Sequence, residues 1–295
     1  MRQGTFFCID AHTCGNPVRL VAGGVPPLEG NTMSEKRQYF LEHYDWIRQA
    51  LMFEPRGHSM MSGSVVLPPC SDNADASILF IETSGCLPMC GHGTIGTVTT
   101  AIENRLITPK EEGRLILDVP AGQIEVHYQT KGDKVTSVKI FNVPAYLAHQ
   151  DVTVEIEGLG EITVDVAYGG NYYVIVDPQE NYAGLEHYSP DEILMLSPKC
   201  APPFLKQWNA SIQMIPRFAA SPMYFGQGNQ RKKAQRLAMP FFMAIRHSTA
   251  RHVEQARVHA WRNGTRKENS NQAKISCMKA SSAAYLTAVL RVSPK

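Results

Sequence analysis

The stretch Thr83-Ser84-Gly85-Cys86-Leu87-Pro88-Met89-Cys90-Gly91-His92-Gly93-Thr94-Ile95-Gly96 decides how the rest of this chain is read. It sets a cysteine in a glycine-rich loop that runs straight into a helical pattern over residues 94–105. Backbone N–H groups at a helix start have no intrahelical acceptor and carry partial positive charge. They can hold a carboxylate, and they can stabilise Cys90 as a thiolate. A thiolate beside a bound carboxylate can take the proton from the carbon next to that carboxylate. Inversion of that carbon needs a second acid/base group on the opposite face, and the sequence does not supply one.

Outward from this loop the pattern is strand-rich. Residues 5–10 and 18–21 read as short strands around the turn His12-Thr13-Cys14-Gly15-Asn16-Pro17. Residues 34–52 read as one helix, with Phe40, Leu41, Tyr44, Ile47 and Leu51 at helical spacing. Strands are expected at 62–67, 77–82, 115–119, 123–129, 135–142, 152–156, 162–166 and 172–176. The result is an α+β pattern with one conspicuous helix after Cys90. Past Cys200 the patterning fails. Alternation weakens, and residues 250–261 offer at most a basic helix.

With 295 residues and 43% hydrophobic content, the chain can bury one large core or two smaller ones. There is no apolar run of membrane-spanning length and no secretory leader pattern at the N-terminus. Seven cysteines form no regular framework, which reads as reduced thiols in a cytoplasmic protein. The net charge of +2 hides a sharp split. Residues 1–199 hold 13 basic and 25 acidic side chains; residues 200–295 hold 16 basic and only Glu254 and Glu268 as acids. Such asymmetry usually marks a basic nucleic-acid-binding tail. Here the asymmetry has a different cause, and no nucleic-acid or membrane partner is expected.

Each motif also has a plainer reading. A lone cysteine in a tight turn is commonly buried and inert; the Cys-Gly-His-Gly-Thr order opening a helix favours a functional thiol at Cys90. Cys86, Cys90 and His92 could be zinc ligands, but their spacing is poor and no matching ligand pair lies nearby, so no metal is expected. His12 beside Cys14 reads as a structural turn. Glu54-Pro55-Arg56-Gly57-His58, followed by Met60 and Met61, could line a pocket or pack as a loop. Arg231-Lys232-Lys233 reads as a solvated basic patch.

Four stretches carry a family resemblance: Ile9-Asp10-Ala11-His12-Thr13-Cys14-Gly15-Asn16-Pro17-Val18-Arg19, Glu54-Pro55-Arg56-Gly57-His58, Cys90-Gly91-His92-Gly93-Thr94 and Tyr168-Gly169-Gly170-Asn171-Tyr172. Through them residues 1–199 resemble the proline racemase family, and within it the 4-hydroxyproline 2-epimerases. The resemblance implies two α+β lobes like those of diaminopimelate epimerase, each a sheet wrapped around a central helix, with a small-molecule substrate between them. It implies no cofactor and no metal, and commonly a homodimer. It makes Cys90 one of two catalytic bases and puts the backbone of Gly91 and His92 in the carboxylate cradle. The expected domains are 1–125, the first lobe with Cys90; 126–199, the start of the second lobe; and 200–295, a basic tail without a native fold. The substrate implied is 4-hydroxyproline, with proline as the alternative.

The family's second cysteine sits in a motif like DRSPCGTGTSARMA, which this sequence lacks. Neither Cys200 nor Cys277 is followed by Gly-Thr-Gly. The genetic code offers a cause. When the reading frame is shifted back one base, each methionine codon forces the first base of a new codon. Met214-Ile215 then gives Asp, Met223-Tyr224 gives Val, Met239-Pro240 gives Ala, Met243-Ala244 gives Gly and Met278-Lys279 gives Glu. All five fall within family-like strings that the other codons permit. The cysteine codon of the missing motif straddles His252 and Val253, where only Cys or Arg can be encoded. Residues from about 200 onward therefore read as an out-of-frame translation, and the basic bias as a by-product of codon usage. The expected second lobe is incomplete, and the activity of this chain is impaired or lost.

Overall fold

The computed structural model describes residues 4–184, 187–189, 191–193, 195–196 and 199, together with the backbone of 223–226 and 290–291. The expected tail over 200–295 otherwise lies outside the described residues. The chain separates into two compact units, with the division between Val143 and Pro144.

The first unit opens with β1 (Thr5–Thr13) and β2 (Asn16–Gly23), paired antiparallel. Their turn is made by Cys14 at φ 51 and Gly15 at φ 88. Two successive left-handed residues match the twist of a hairpin. The backbone N–H of Gly15 donates to Nδ1 of His12 at 3.2 Å, so His12 serves the turn as expected. Next come α1 (Met33–His43), α2 (Asp45–Met52), β3 (Ser62–Leu67), β4 (Ala76–Glu82), α3 (Gly91–Glu103), β5 (Arg114–Val119), β6 (Gly122–Lys131) and β7 (Lys134–Phe141). With the short β12 (Leu290–Arg291) beside β1, the sheet order is β12-β1-β2-β3-β4-β5-β6-β7.

The sheet wraps around α3, which contacts β1, β2, β3 and β7. Its residues from His92 through Ala101 are all buried. Small side chains make this possible. A Cβ on Gly96 would lie 2.9 Å from Val18, so the bare backbone of α3 rests directly on β2. The sheet answers the hydroxyl of Thr97: Thr97 and Ser64 share a hydrogen bond of 2.6 Å. The other face of the sheet is covered by α1 and α2. Phe40, Ile47, Leu51 and Met52 pack there with Phe6, Val21, Val65, Leu79 and Ile81.

Strand alternation assigns β4 its two faces. Leu79 and Ile81 join the α1–α2 core. Ile78, Phe80 and Glu82 therefore point the other way, towards α3. A carboxylic acid thus stands on the helix side of a strand that is buried throughout.

One sequence expectation is corrected here. The single helix expected over 34–52 is two helices, broken at Tyr44. Tyr44 leaves helical geometry at φ −129, and its N–H caps α1 on the carbonyl of Phe40. Asp45 then opens α2 and takes a bidentate pair from Arg48 at 2.6 and 2.9 Å. The expected boundary at 125/126 falls inside β6. That strand pairs with β5 on one side and β7 on the other, so the first unit runs on to Val143.

The second unit contains β8 (Tyr146–Ile156), β9 (Gly160–Tyr168), β10 (Tyr172–Val176) and β11 (Met223–Gly226), in the order β11-β10-β9-β8. Val154, Ile156, Ile162, Val164, Val166 and Val174 form its core. The Tyr168–Tyr172 stretch is the turn between β9 and β10, closed by the N–H of Gly169 donating to the carbonyl of Asn171 at 2.9 Å. Among the described residues no helix is long and apolar enough to cross a membrane.

Candidate functional site

Cys90 is the N-cap of α3. Its carbonyl accepts from the backbone N–H of Thr94 at 2.9 Å and from the Thr94 hydroxyl at 2.8 Å. The backbone N–H groups of Gly91 and His92 lie in the first turn, where the helix offers no acceptor for them. A Cβ on Gly91 would meet nothing within 4 Å, so one side of this turn has room beside it. The side towards the sulfur is tight: a Cβ on Gly93 would sit 3.0 Å from Sγ of Cys90.

The thiol lies between two ionisable groups. Sγ is 3.4 Å from Oε1 of Glu82 and 3.3 Å from Nδ1 of His92. All three residues are buried, and Glu82 has no exposed surface. Ser62, across on β3, donates its hydroxyl to the same Oε1 at 2.9 Å. The second carboxyl oxygen, Oε2, is buried without a hydrogen-bond partner. Desolvation pushes the Glu82 carboxyl up to about 7, and the hydrogen bonds from Ser62 and Cys90 pull it back only in part.

The hairpin turn holds the imidazole. The hydroxyl of Thr13 donates to the backbone carbonyl of His92 at 3.1 Å. The side-chain amide nitrogen of Asn16 meets Nε2 of His92. An amide N–H facing Nε2 makes that nitrogen the acceptor and leaves the ring proton on Nδ1, aimed at the sulfur. Asn16→Leu removes that donor and frees the tautomer. The variant is expected to lose about tenfold in any reaction at Cys90, the equivalent of one ordinary hydrogen bond. Thiol alkylation rate against pH checks this, and an unchanged profile refutes the tautomer argument.

The expected residues Cys90, Gly91 and His92 lie at the N-cap and first turn of α3. Glu82, Ser62 and the role of Asn16 were missed. Cys86, weighed with Cys90 and His92 as a zinc ligand and set aside, packs in the α1–α2 core, and Glu82 stands beside Cys90 and His92. Oxygen, sulfur and nitrogen of Glu82, Cys90 and His92 lie within 4.8 Å of one another, a spacing a cation could span. Each of the two neighbours is, however, in direct hydrogen-bond contact with the sulfur, the arrangement of groups that exchange protons. Cys86 is buried, and desolvation pushes its thiol up to about 12, so it stays neutral.

The Glu54–His58 stretch is a loop in which Glu54, Pro55 and His58 are exposed and Arg56 is half-buried. Arg56 donates through Nε to the carbonyl of Ala50 at 2.6 Å, and the Arg56 carbonyl accepts from Arg19 at 2.8 Å.

A family model described as proline racemase matches residues 8–239, past Lys199, where the resemblance read from the sequence ends. The chain is 71% identical over 198 residues to a 4-hydroxyproline 2-epimerase of Shewanella loihica, covering 67% of this chain and 60% of that protein. It is 64% identical over 195 residues to a 4-hydroxyproline 2-epimerase of Spirosoma linguale, covering 66% and 58%. The chain thus spans about 60% of the length of the curated relatives it matches. Among solved structures it is similar to a hydroxyproline epimerase from Agrobacterium vitis with bound trans-4-hydroxy-L-proline. That match has a TM-score of 0.55 at 27% identity, covering 59% of this chain and 52% of the other. A probable proline racemase from Agrobacterium radiobacter K84 shares the fold, with a TM-score of 0.62 at 22% identity over 74% of this chain and 66% of the other.

Proposed function

This chain belongs to the proline racemase family, and from that premise we propose that it carries the Cys90 half of a cofactor-independent 4-hydroxyproline 2-epimerase. The reaction is inversion of trans-4-hydroxy-L-proline at its α-carbon to cis-4-hydroxy-D-proline. The substrate carboxylate takes the N–H groups of Gly91 and His92 at the start of α3, where the helix end favours negative charge. The Cys90 thiolate removes the α-proton: the C–H bond breaks, an S–H bond forms, and the electron pair stays on the α-carbon next to the carboxylate. Because that carbon acid is weak, the fixed N–H dipoles must stabilise the developing charge. A second group then gives a proton to the opposite face.

The observation that carries this reading is the placement of Cys90. It sits at the N-terminus of a helix enclosed by the sheet, with its sulfur held between Glu82 and His92. The identities of 60–71% to 4-hydroxyproline epimerases support the hydroxylated substrate over proline. The missing second cysteine motif supports a chain in which inversion is impaired.

Incubating the full chain with trans-4-hydroxy-L-proline in heavy water tests both parts. Deuterium is expected to enter the α-position while optical rotation stays nearly constant. Rapid inversion would overturn the impairment and leave the epimerase reading standing. Neither exchange nor inversion would remove the role given to Cys90.

A further inference from the structure

Glu82 has no part in the two-base scheme, yet its carboxyl is in contact with the proposed base. It is the one acid of a strand that is buried throughout. We propose that Glu82 is a positioning residue that holds the proton of Cys90. In the resting site the carboxyl is neutral and donates through Oε1 to a Cys90 thiolate. The inference rests on Cys90 being the proton acceptor, as in the reading above.

The proton balance is internal. The S–H bond of Cys90 breaks, an O–H bond forms at Oε1 of Glu82, and the negative charge moves from carboxylate to sulfur. No proton is exchanged with solvent. Three geometric features favour the charge on sulfur. An ionised carboxylate would leave half its charge on Oε2, which is buried without a partner. The sulfur faces Nδ1 of His92, and Asn16 at Nε2 keeps the imidazole proton on the Nδ1 side. Cys90 also caps α3, beside the positive end of the helix, whereas Glu82 lies on the strand. Oε1 can donate to sulfur and still accept the Ser62 hydroxyl. The high proton affinity that burial gives Glu82 points the same way.

Among the described residues, the charged groups on the neighbouring elements are engaged elsewhere. From α2, Arg48 donates to the backbone carbonyls of Glu82 and Thr83 and is paired with Asp45. From α1, Arg37 donates through Nε to the carbonyl of Cys86. The Cys86 thiol stays neutral. His92, on α3, faces the sulfur through a nitrogen that already carries its proton.

The test is the pH profile of thiolate absorbance in the full chain, taken as the difference from its Cys90→Ser variant. The thiolate signal is expected to be present at neutral pH. In Glu82→Gln its midpoint is expected to rise by about one pH unit or more, cutting the thiolate fraction at neutral pH by about tenfold. Glu82→Asp is expected to restore part of it. A midpoint that falls in Glu82→Gln would mean that Glu82 is an ionised neighbour repelling the thiolate, and the proposal would be overturned. An unmoved midpoint would also overturn it. If Glu82→Gln does not fold, infrared spectroscopy of the unmodified chain decides. A neutral-carboxyl C=O band that changes when Cys90 is alkylated is expected; a missing or unresponsive band rejects the proposal. Neither readout uses hydroxyproline. A chain without α-proton exchange can therefore still show the shared proton, and the two failures are distinguishable.

Discussion

Cys90→Ser is expected to lower α-proton exchange into trans-4-hydroxy-L-proline by about 10²–10⁴ relative to the unmodified chain. The substitution changes one atom. Serine keeps the size of the side chain and can keep contacts with Glu82 and His92, so the fold of α3 should survive. It loses ionisation, because a hydroxyl at this position cannot give up its proton at neutral pH as a thiol can. The carboxylate cradle at Gly91 and His92 is backbone and remains. Substrate binding should therefore persist while exchange collapses, which separates loss of the base from loss of the site. The measurement is α-deuterium incorporation by mass spectrometry, with hydroxyproline binding by calorimetry as the control. Exchange at the unmodified rate in Cys90→Ser would show that another group takes the proton.

The parts of this architecture that were legible in the sequence are those set by local pattern. The strand at 172–176, the helix after Cys90 and the Cys14-Gly15 turn follow from alternation, a glycine-rich opening and turn chemistry. The break at Tyr44 was hidden for a physical reason. Phe40, Ile47 and Leu51 are buried in one core, with Leu41 and Tyr44 packed against it. Hydrophobic spacing thus continues through the break, and periodicity is blind to a single residue that leaves helical geometry.

Glu82 was illegible for another reason. At the end of a strand an acid normally reads as a solvated terminus. Its burial arises only when β3 brings Ser62 and α3 brings Cys90 to the same face of β4. Asn16 meets His92 across 76 residues of sequence, so its function as an imidazole partner is equally non-local. The signal available was parity along β4: a lone acid in register with Ile78 and Phe80, on the face opposite Leu79 and Ile81.

Arg19→Met is expected to destabilise the first unit by about 3 kcal/mol, the scale at which a mostly buried ion pair is broken and carbonyls are left unpaired. Arg19 forks onto Asp10 through Nε and Nη2, both at 2.7 Å. Its Nη1 donates to the carbonyls of Leu51 and Arg56 at 2.7 and 2.8 Å. One guanidinium thus fastens the β1–β2 hairpin to the end of α2 and to the following loop. Asp10 is 31% exposed, so water recovers part of the charge lost there. The carbonyl of Leu51 lies under a residue with no exposed surface and recovers less. Lysine in place of Arg19 has no fork and should rescue little. Thermal unfolding should shift down by roughly 6–12 °C, and a shift of under about 1 °C would refute the clamp. The consequence reaches the sulfur, because the same hairpin carries Thr13 and Asn16 to His92. Loosening it should raise the midpoint of Cys90 ionisation even at temperatures where the variant remains folded. A destabilised variant with an unmoved midpoint would show that the hairpin supports the fold without tuning the thiol.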